Sequence, residues 1–358
     1  MNGRLTKRLL CCVFVSTHAF QAPSMRAKRV TMHAEKGSGG LRLLEWVPSQ
    51  KALVTVAKFG WRTVWGLMMS ELAPQSSDGA YVRPAPQTGS AAAPQLEDGR
   101  DYVLYVGNAC PWCHRTTIAR ALRGAEAIVT VVVMDDDPTK ARRGGWSFSA
   151  GAPDPVFGAP DLKGVYDELE IEGRCTAPLL VERAGAFVSN ESGDIVRALV
   201  DYKGERANDA DLRPVALAAA IDELNDDIYE RVNNGVYRAG FATKQSPYEA
   251  AVRDVFAGLR RLDGVLAASA YVAGDGVTES DVRLLPTIER FDACYAQLFL
   301  RTTTSIRHDF PHVAAWLGRM RALPGVADTV DARAAARSYY SSLFPLNPSG
   351  IVPLPPDG

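Results

Sequence analysis

Net charge is almost absent from this chain: 40 Lys and Arg stand against 41 Asp and Glu, a formal −1 over 358 residues. Without a basic excess, nothing in the composition points to nucleic acid as a partner. Cysteine is sparse as well. Six cysteines at this length are not a disulfide framework, so the mature chain is expected where thiols stay reduced. One Cys-x-x-Cys occurs and no second, so a structural zinc site lacks its other ligand pair. His308 and His312 show no metal-ligand pattern and read as surface or cap residues. Long apolar runs are missing too, since Leu9-Leu10-Cys11-Cys12-Val13-Phe14-Val15 is too short for a stable bilayer span. What remains, 47% apolar and 23% charged, is the composition of a globular protein whose length suggests two domains plus extensions.

The first residues read as an address. Arg4, Lys7 and Arg8 precede the short apolar run, and Thr17-His18-Ala19 offers small residues for cleavage. No acidic residue appears before Glu35, which is transit-peptide composition. With Phe20 in Ala19-Phe20-Gln21-Ala22-Pro23, residues 1–35 resemble the bipartite leaders of algae with secondary plastids. A plastid location is expected, with the mitochondrion as alternative, and Cys11 and Cys12 are then lost on import. Residues 36–100 read as an extension with linkers at Ser38-Gly39-Gly40 and from Pro84 to Gln95. Between them lies the aromatic run Phe59 to Met69, read as a helix or arm packed on the main body, or else as a membrane-surface or partner-binding helix.

The most informative stretch is Cys110-Pro111-Trp112-Cys113-His114. Asp101 to Val106 before it is a β-forming apolar run, and Arg115 to Gly124 after it has helical spacing with a terminal Gly. A strand, a loop and two cysteines opening a helix make a thioredoxin-like arrangement. A helix N-terminus favours thiolate over thiol, so Cys110 is the candidate nucleophile. Haem attachment at Cys-x-x-Cys-His and plain helix capping are the rival readings; Pro111 and the preceding strand argue against haem. Ala127 to Met134 reads as a strand buried on both faces, Ala177 to Val181 as another, and Ser192 to Val200 as a helix. These define an α/β domain over 101–203. Beyond it the signal is helical over 204–358: Val215 to Asn233, Tyr248 to Leu266, a capping box at Thr278 and Asp281, and His312 to Leu323. Pro286 predicts a kink or a late start. The fold class is thus a thioredoxin-like domain followed by an all-α domain, the architecture of glutathione transferases.

From about Leu67 onward the chain resembles the glutathionyl-hydroquinone reductases, or Xi-class glutathione transferases. Carrying that resemblance are Gly79-Ala80-Tyr81-Val82-Arg83-Pro84, Ala109-Cys110-Pro111-Trp112, Gly145-Trp146-Ser147-Phe148 and Asn190-Glu191-Ser192. Val232-Asn233-Asn234-Gly235-Val236-Tyr237, Tyr339-Tyr340 and the tail Leu346 to Pro353 complete it. The resemblance implies glutathione as co-substrate, glutathionylated quinols as partners, a homodimer and no metal. It implies that Cys110 attacks the glutathionyl sulfur of the substrate, expels the hydroquinone, and is freed from the mixed disulfide by a second glutathione. It places Ala177 and Pro178 beside the cysteinyl unit of glutathione and Trp146 over the peptide. It implies that Glu191 and Ser192 hold the γ-glutamyl end and that Tyr237, Tyr339 and Tyr340 line a quinol pocket. Which of the last two tyrosines faces it is left open.

Cys113 departs from the family, which usually has Ala there. It is either a resolving thiol for Cys110 or a buried spectator. Ala177 replaces a Val and Ser189 an Asn. Cys175 and Cys294 read as packing residues, and His114 as a cap or packing residue ranked below Cys110. Two other functions compete: an Omega-like thiol transferase or dehydroascorbate reductase using Cys110 and Cys113, and a non-catalytic quinone or porphyrin carrier.

Overall fold

The structure is a computed structural model that describes residues 50–84, 94–135, 145–149, 152–343 and 345–354. The leader at 1–35 and most of the Pro84–Gln95 linker lie outside the described residues. The chain divides into the units Met1–Lys58 and Phe59–Gly358, and the second carries the site below.

Helix α1 spans Gln50–Leu72. Near its C-terminal end Met69 is fully buried and Trp65 Nε1 donates to Pro345 O at 3.1 Å. Phe59, Val64 and Leu67 on the same helix are exposed, so only part of the aromatic run is packed.

The α/β part is a four-stranded sheet in the order β2-β1-β3-β4, with β1 Tyr102–Gly107, β2 Val129–Met134, β3 Leu179–Glu182 and β4 Phe187–Ser189. β1 runs parallel to β2, joined across helix α2 (Pro111–Leu122), and antiparallel to β3. Alternation along β1 sorts its side chains into two layers. Val103 and Tyr105 join Leu179, Val181 and helix α3 (Leu162–Glu168) on one face. Tyr102, Leu104 and Val106 join α2 and helix α4 (Ser192–Asp201) on the other, in a core continuous with the helical part. The expectation that 127–134 is buried on both faces needs correction: Thr130 and Val133 are exposed, because β2 forms the sheet edge. The doubly buried strand is β1.

The helical part comprises α5 (Ala218–Ile228), α6 (Gly235–Phe241), α7 (Gln245–Leu266), α8 (Glu279–Arg290), α9 (Pro311–Arg321) and α10 (Ala332–Ser342). α5 and α8 each end in a π-helical turn, Tyr229–Asn233 and Phe291–Tyr295. The capping box of Thr278 and Asp281 forms, so α8 does not start late and runs through Pro286 to Arg290. Asp281 also accepts from Val272 N and Trp316 Nε1, at 3.1 and 2.8 Å. Buried Glu279 receives Arg197 at 2.8 Å and Arg283 at 2.6 Å. Arg283 reaches on to Gly193 O at 3.2 Å, tying the start of α4 to α8.

Candidate functional site

β1 ends at Gly107, and Cys110 then caps α2 with an extended backbone, Pro111 taking the first helical position. Pro suits that position because its missing N–H would be unpaired there anyway. Gly107 is required by what crosses it: a Cβ there would sit 2.0 Å from the Trp146 ring. Cys110 is partly exposed on the wall of a cavity of about 540 Å³. Its Sγ lies 3.8 Å from the carbonyl oxygen of Ala177, which precedes the cis peptide bond to Pro178. Trp146, Glu191 and Ser192 line the same cavity, as do Tyr237 and Tyr339.

Cys113 sits behind, one turn into α2, 1% exposed, with Sγ accepting from Gly107 N at 3.4 Å. None of the four described cysteines is in a disulfide. The Cys110 thiol is lowered to about 7, first by a hydrogen bond from Cys113, against the cost of burial, then by the N–H groups of Cys113 and Trp112 and by Arg290. Burial and the neighbouring Cys110 push Cys113 the other way, well above the usual thiol range. Cys110 is therefore the thiolate of the pair and Cys113 its S–H donor.

Glu191, which also lines the cavity, caps α4, its carboxylate accepting from Gly193 N at 3.1 Å and from Ser192 Oγ at 3.3 Å. Ser189 shapes the turn into that helix, its Oγ accepting from Glu191 N at 3.1 Å. The N–H groups that open α4 favour a carboxylate, while Glu191 can face an ammonium.

Tyr81, Trp112, Tyr229, Tyr237, Phe241 and Tyr339 make much of the remaining lining aromatic, with Tyr295 packed behind. The Tyr237 hydroxyl is hydrogen-bonded to that of Tyr339, and Tyr295 OH lies 2.9 Å from Tyr339 OH and 3.4 Å from Tyr237 OH. Burial pushes the Tyr237 phenol to about 12, with both neighbouring hydroxyls pulling it back. Tyr340 lies outside the cavity lining: its side chain is buried, its hydroxyl has no partner among the described residues, and its carbonyl accepts from Asn347 in the tail at 2.7 Å. Trp112 carries two guanidinium groups over its ring, Arg83 at 4.0 Å and Arg115 at 4.4 Å. Cys294 is fully buried and pushed up to about 12 by burial. Cys175 is partly buried beside the α3-side core. Among the described residues no cluster of His, Cys, Asp and Glu could hold a metal ion.

Sequence reasoning missed Tyr295, Arg290 and the stacking role of Arg83. The first two lie in or next to the π-helical turn Phe291–Tyr295. Such turns gather at functional sites, but no residue pattern announces them.

Two family profiles match, "Glutathione S-transferase, N-terminal domain" over residues 109–201 and "Glutathione S-transferase, C-terminal domain" over 245–319. The chain is similar to glutathione S-transferase omega-like 2 of Schizosaccharomyces pombe, 38% identical over 78% of this chain and 95% of that protein. It is also similar to the glutathionyl-hydroquinone reductase PcpF of Sphingobium chlorophenolicum, 37% identical over 83% of this chain and 94% of the relative. Among solved structures, the glutathione-bound YqjG of Escherichia coli K-12 superposes with a TM-score of 0.68 at 36% identity, over 79% of this chain and 91% of that one.

Proposed function

The chain belongs to the glutathione transferase family, among the Xi-class enzymes and glutathionyl-hydroquinone reductases, and from that premise we propose that it removes glutathione from glutathionyl-hydroquinones through Cys110. It is a glutathione-dependent enzyme. In the first half-reaction the Cys110 thiolate attacks the glutathionyl sulfur. The S–S bond forms as the C–S bond breaks, and the electron pair leaves with the ring, which takes up a proton and departs as hydroquinone. In the second, the thiolate of free glutathione attacks the mixed disulfide, oxidised glutathione leaves, and Cys110 returns as thiolate. One reduced glutathione is consumed and one oxidised glutathione released per quinol.

Each wall of the cavity fits a part of that substrate. The Ala177 backbone beside Cys110 suits the cysteinyl unit, Trp146 the peptide, and the start of α4 with Glu191 and Ser192 the γ-glutamyl carboxylate and ammonium. Tyr237 and Tyr339 offer ring faces and hydroxyls to the quinol. The observation that carries the reading is a low-range thiol at a helix N-terminus facing an aromatic wall across one cavity. The buried, high-range Cys113 favours single-thiol chemistry over the two-thiol transferase reading. The test is turnover of glutathionyl-menadiol with glutathione by wild type, Cys110→Ser and Cys113→Ala. Activity lost only in Cys110→Ser supports the proposal. Thiol transfer that needs Cys113, without quinol turnover, sinks it.

A further inference from the structure

Arg290 ends α8 and is 4% exposed, yet its partners are acceptors without charge. Nε donates to Ala109 O at 3.1 Å and Nη2 to Asn108 O at 3.3 Å. Nη1 donates to Pro286 O at 3.1 Å and meets His114 Nδ1 at 2.9 Å. No carboxylate pairs with it among the described residues. Its helix neighbour Arg283 differs, being paired with Glu279 at 2.6 Å. A buried cation without an anion is costly. The two carbonyls it holds belong to the residues immediately before Cys110, whose thiolate its charge favours.

His114 completes the arrangement. Burial, with Arg290 beside it, holds the imidazole well below its usual range, so it is neutral. With Nδ1 accepting from Arg290, the remaining hydrogen lies on Nε2, which donates to Thr329 Oγ1 at 3.0 Å; Thr329 in turn donates to Val326 O at 2.7 Å. The histidine following Cys113 is thereby an anchor for a guanidinium and not a base.

We propose that Arg290 is a positioning residue, the buried counter-cation of the Cys110 thiolate and the clamp that fixes the Asn108–Ala109 turn to α8 through His114. The proposal rests on Cys110 being the reacting thiol. It assigns Arg290 a part in both half-reactions: it favours the attacking thiolate in the first and Cys110 as leaving group in the second, when glutathione displaces it from the mixed disulfide.

The test is the pH dependence of iodoacetamide alkylation of Cys110, followed on its own peptide by mass spectrometry, in wild type, Arg290→Met and Arg290→Lys. The other ionisable groups near the thiol are Cys113 and Arg115 on α2, Tyr237 on α6 and Tyr339 on α10, with Tyr81, Arg83, Arg174, Glu191 and Tyr229 around the cavity. All are kept in the variants. Arg290→Met is expected to move the midpoint upward by a fraction of a unit, slowing alkylation about two- to three-fold at pH 6, while Arg290→Lys stays near wild type. His114→Leu, which removes the anchor and leaves the cation, gives a second handle should Arg290→Met fail to fold: a smaller upward shift with lower kcat is expected. An unchanged midpoint in folded Arg290→Met or in His114→Leu overturns the proposal, as does a shift in Arg290→Lys equal to that in Arg290→Met. Alkylation reads the thiolate whether or not quinol turns over, so turnover retained in Cys110→Ser would fail the proposed function without bearing on this result.

Discussion

Removing the Cys113 thiol takes away the largest single influence lowering Cys110. Cys113→Ala should therefore raise the Cys110 midpoint from about 7. The sign follows from the ionisation: a thiol with a lowered pKa is reactive above that pKa, so losing its donor costs thiolate on the acid side first. Alkylation rates below pH 7 should fall while turnover near pH 9 is nearly unchanged, and a pH–rate profile checks this. Gly107→Ala puts a methyl into the Trp146 ring. Overpacking of this kind costs about 1–3 kcal/mol, and here it should raise KM for glutathione more than it lowers kcat, as steady-state kinetics would record. The two adjacent tyrosines should separate cleanly. Tyr339→Phe removes a hydroxyl shared with Tyr237 and Tyr295 and is expected to lower kcat, whereas Tyr340→Phe deletes a buried hydroxyl without a partner among the described residues and should leave kinetics near wild type.

At the scale of elements, α8 is the support on which both ends of the site rest. Its N-terminal turn is fixed by Asp281, its first residue Glu279 holds α4 through Arg283, and its last residue reaches the turn before Cys110. Asp281→Ala would lose the cap and orphan the donors Val272 N and Trp316 Nε1. A cap is worth about 1 kcal/mol and buried orphaned donors about 1–3 kcal/mol, so urea denaturation should show a loss of about 3 kcal/mol. The capping box was legible because its two residues are three apart in sequence. β1 and α2 were legible because their burial and capping are local too. The edge position of β2 was not, since Val129 to Met134 has the same β-branched composition whether or not a strand lies on its far side.

Across the whole molecule, the two-part architecture could be read from strand-and-helix alternation giving way to helix alone, and the resemblance added the cavity residues from both parts. Tyr295 and Arg290 escaped because their roles arise only when α8 and its π-helical turn pack against α2, α6 and α10. No spacing along the chain encodes a contact between residues 114 and 290. The measurement that tests the central claim most directly is a single turnover: glutathionyl-menadiol mixed with wild type in the absence of free glutathione, followed by intact-protein mass spectrometry and menadiol release. One equivalent of menadiol released, with one glutathione held on Cys110 and discharged by added glutathione, is the predicted result. Menadiol released without an adduct on Cys110, or equal release by Cys110→Ser, would contradict it.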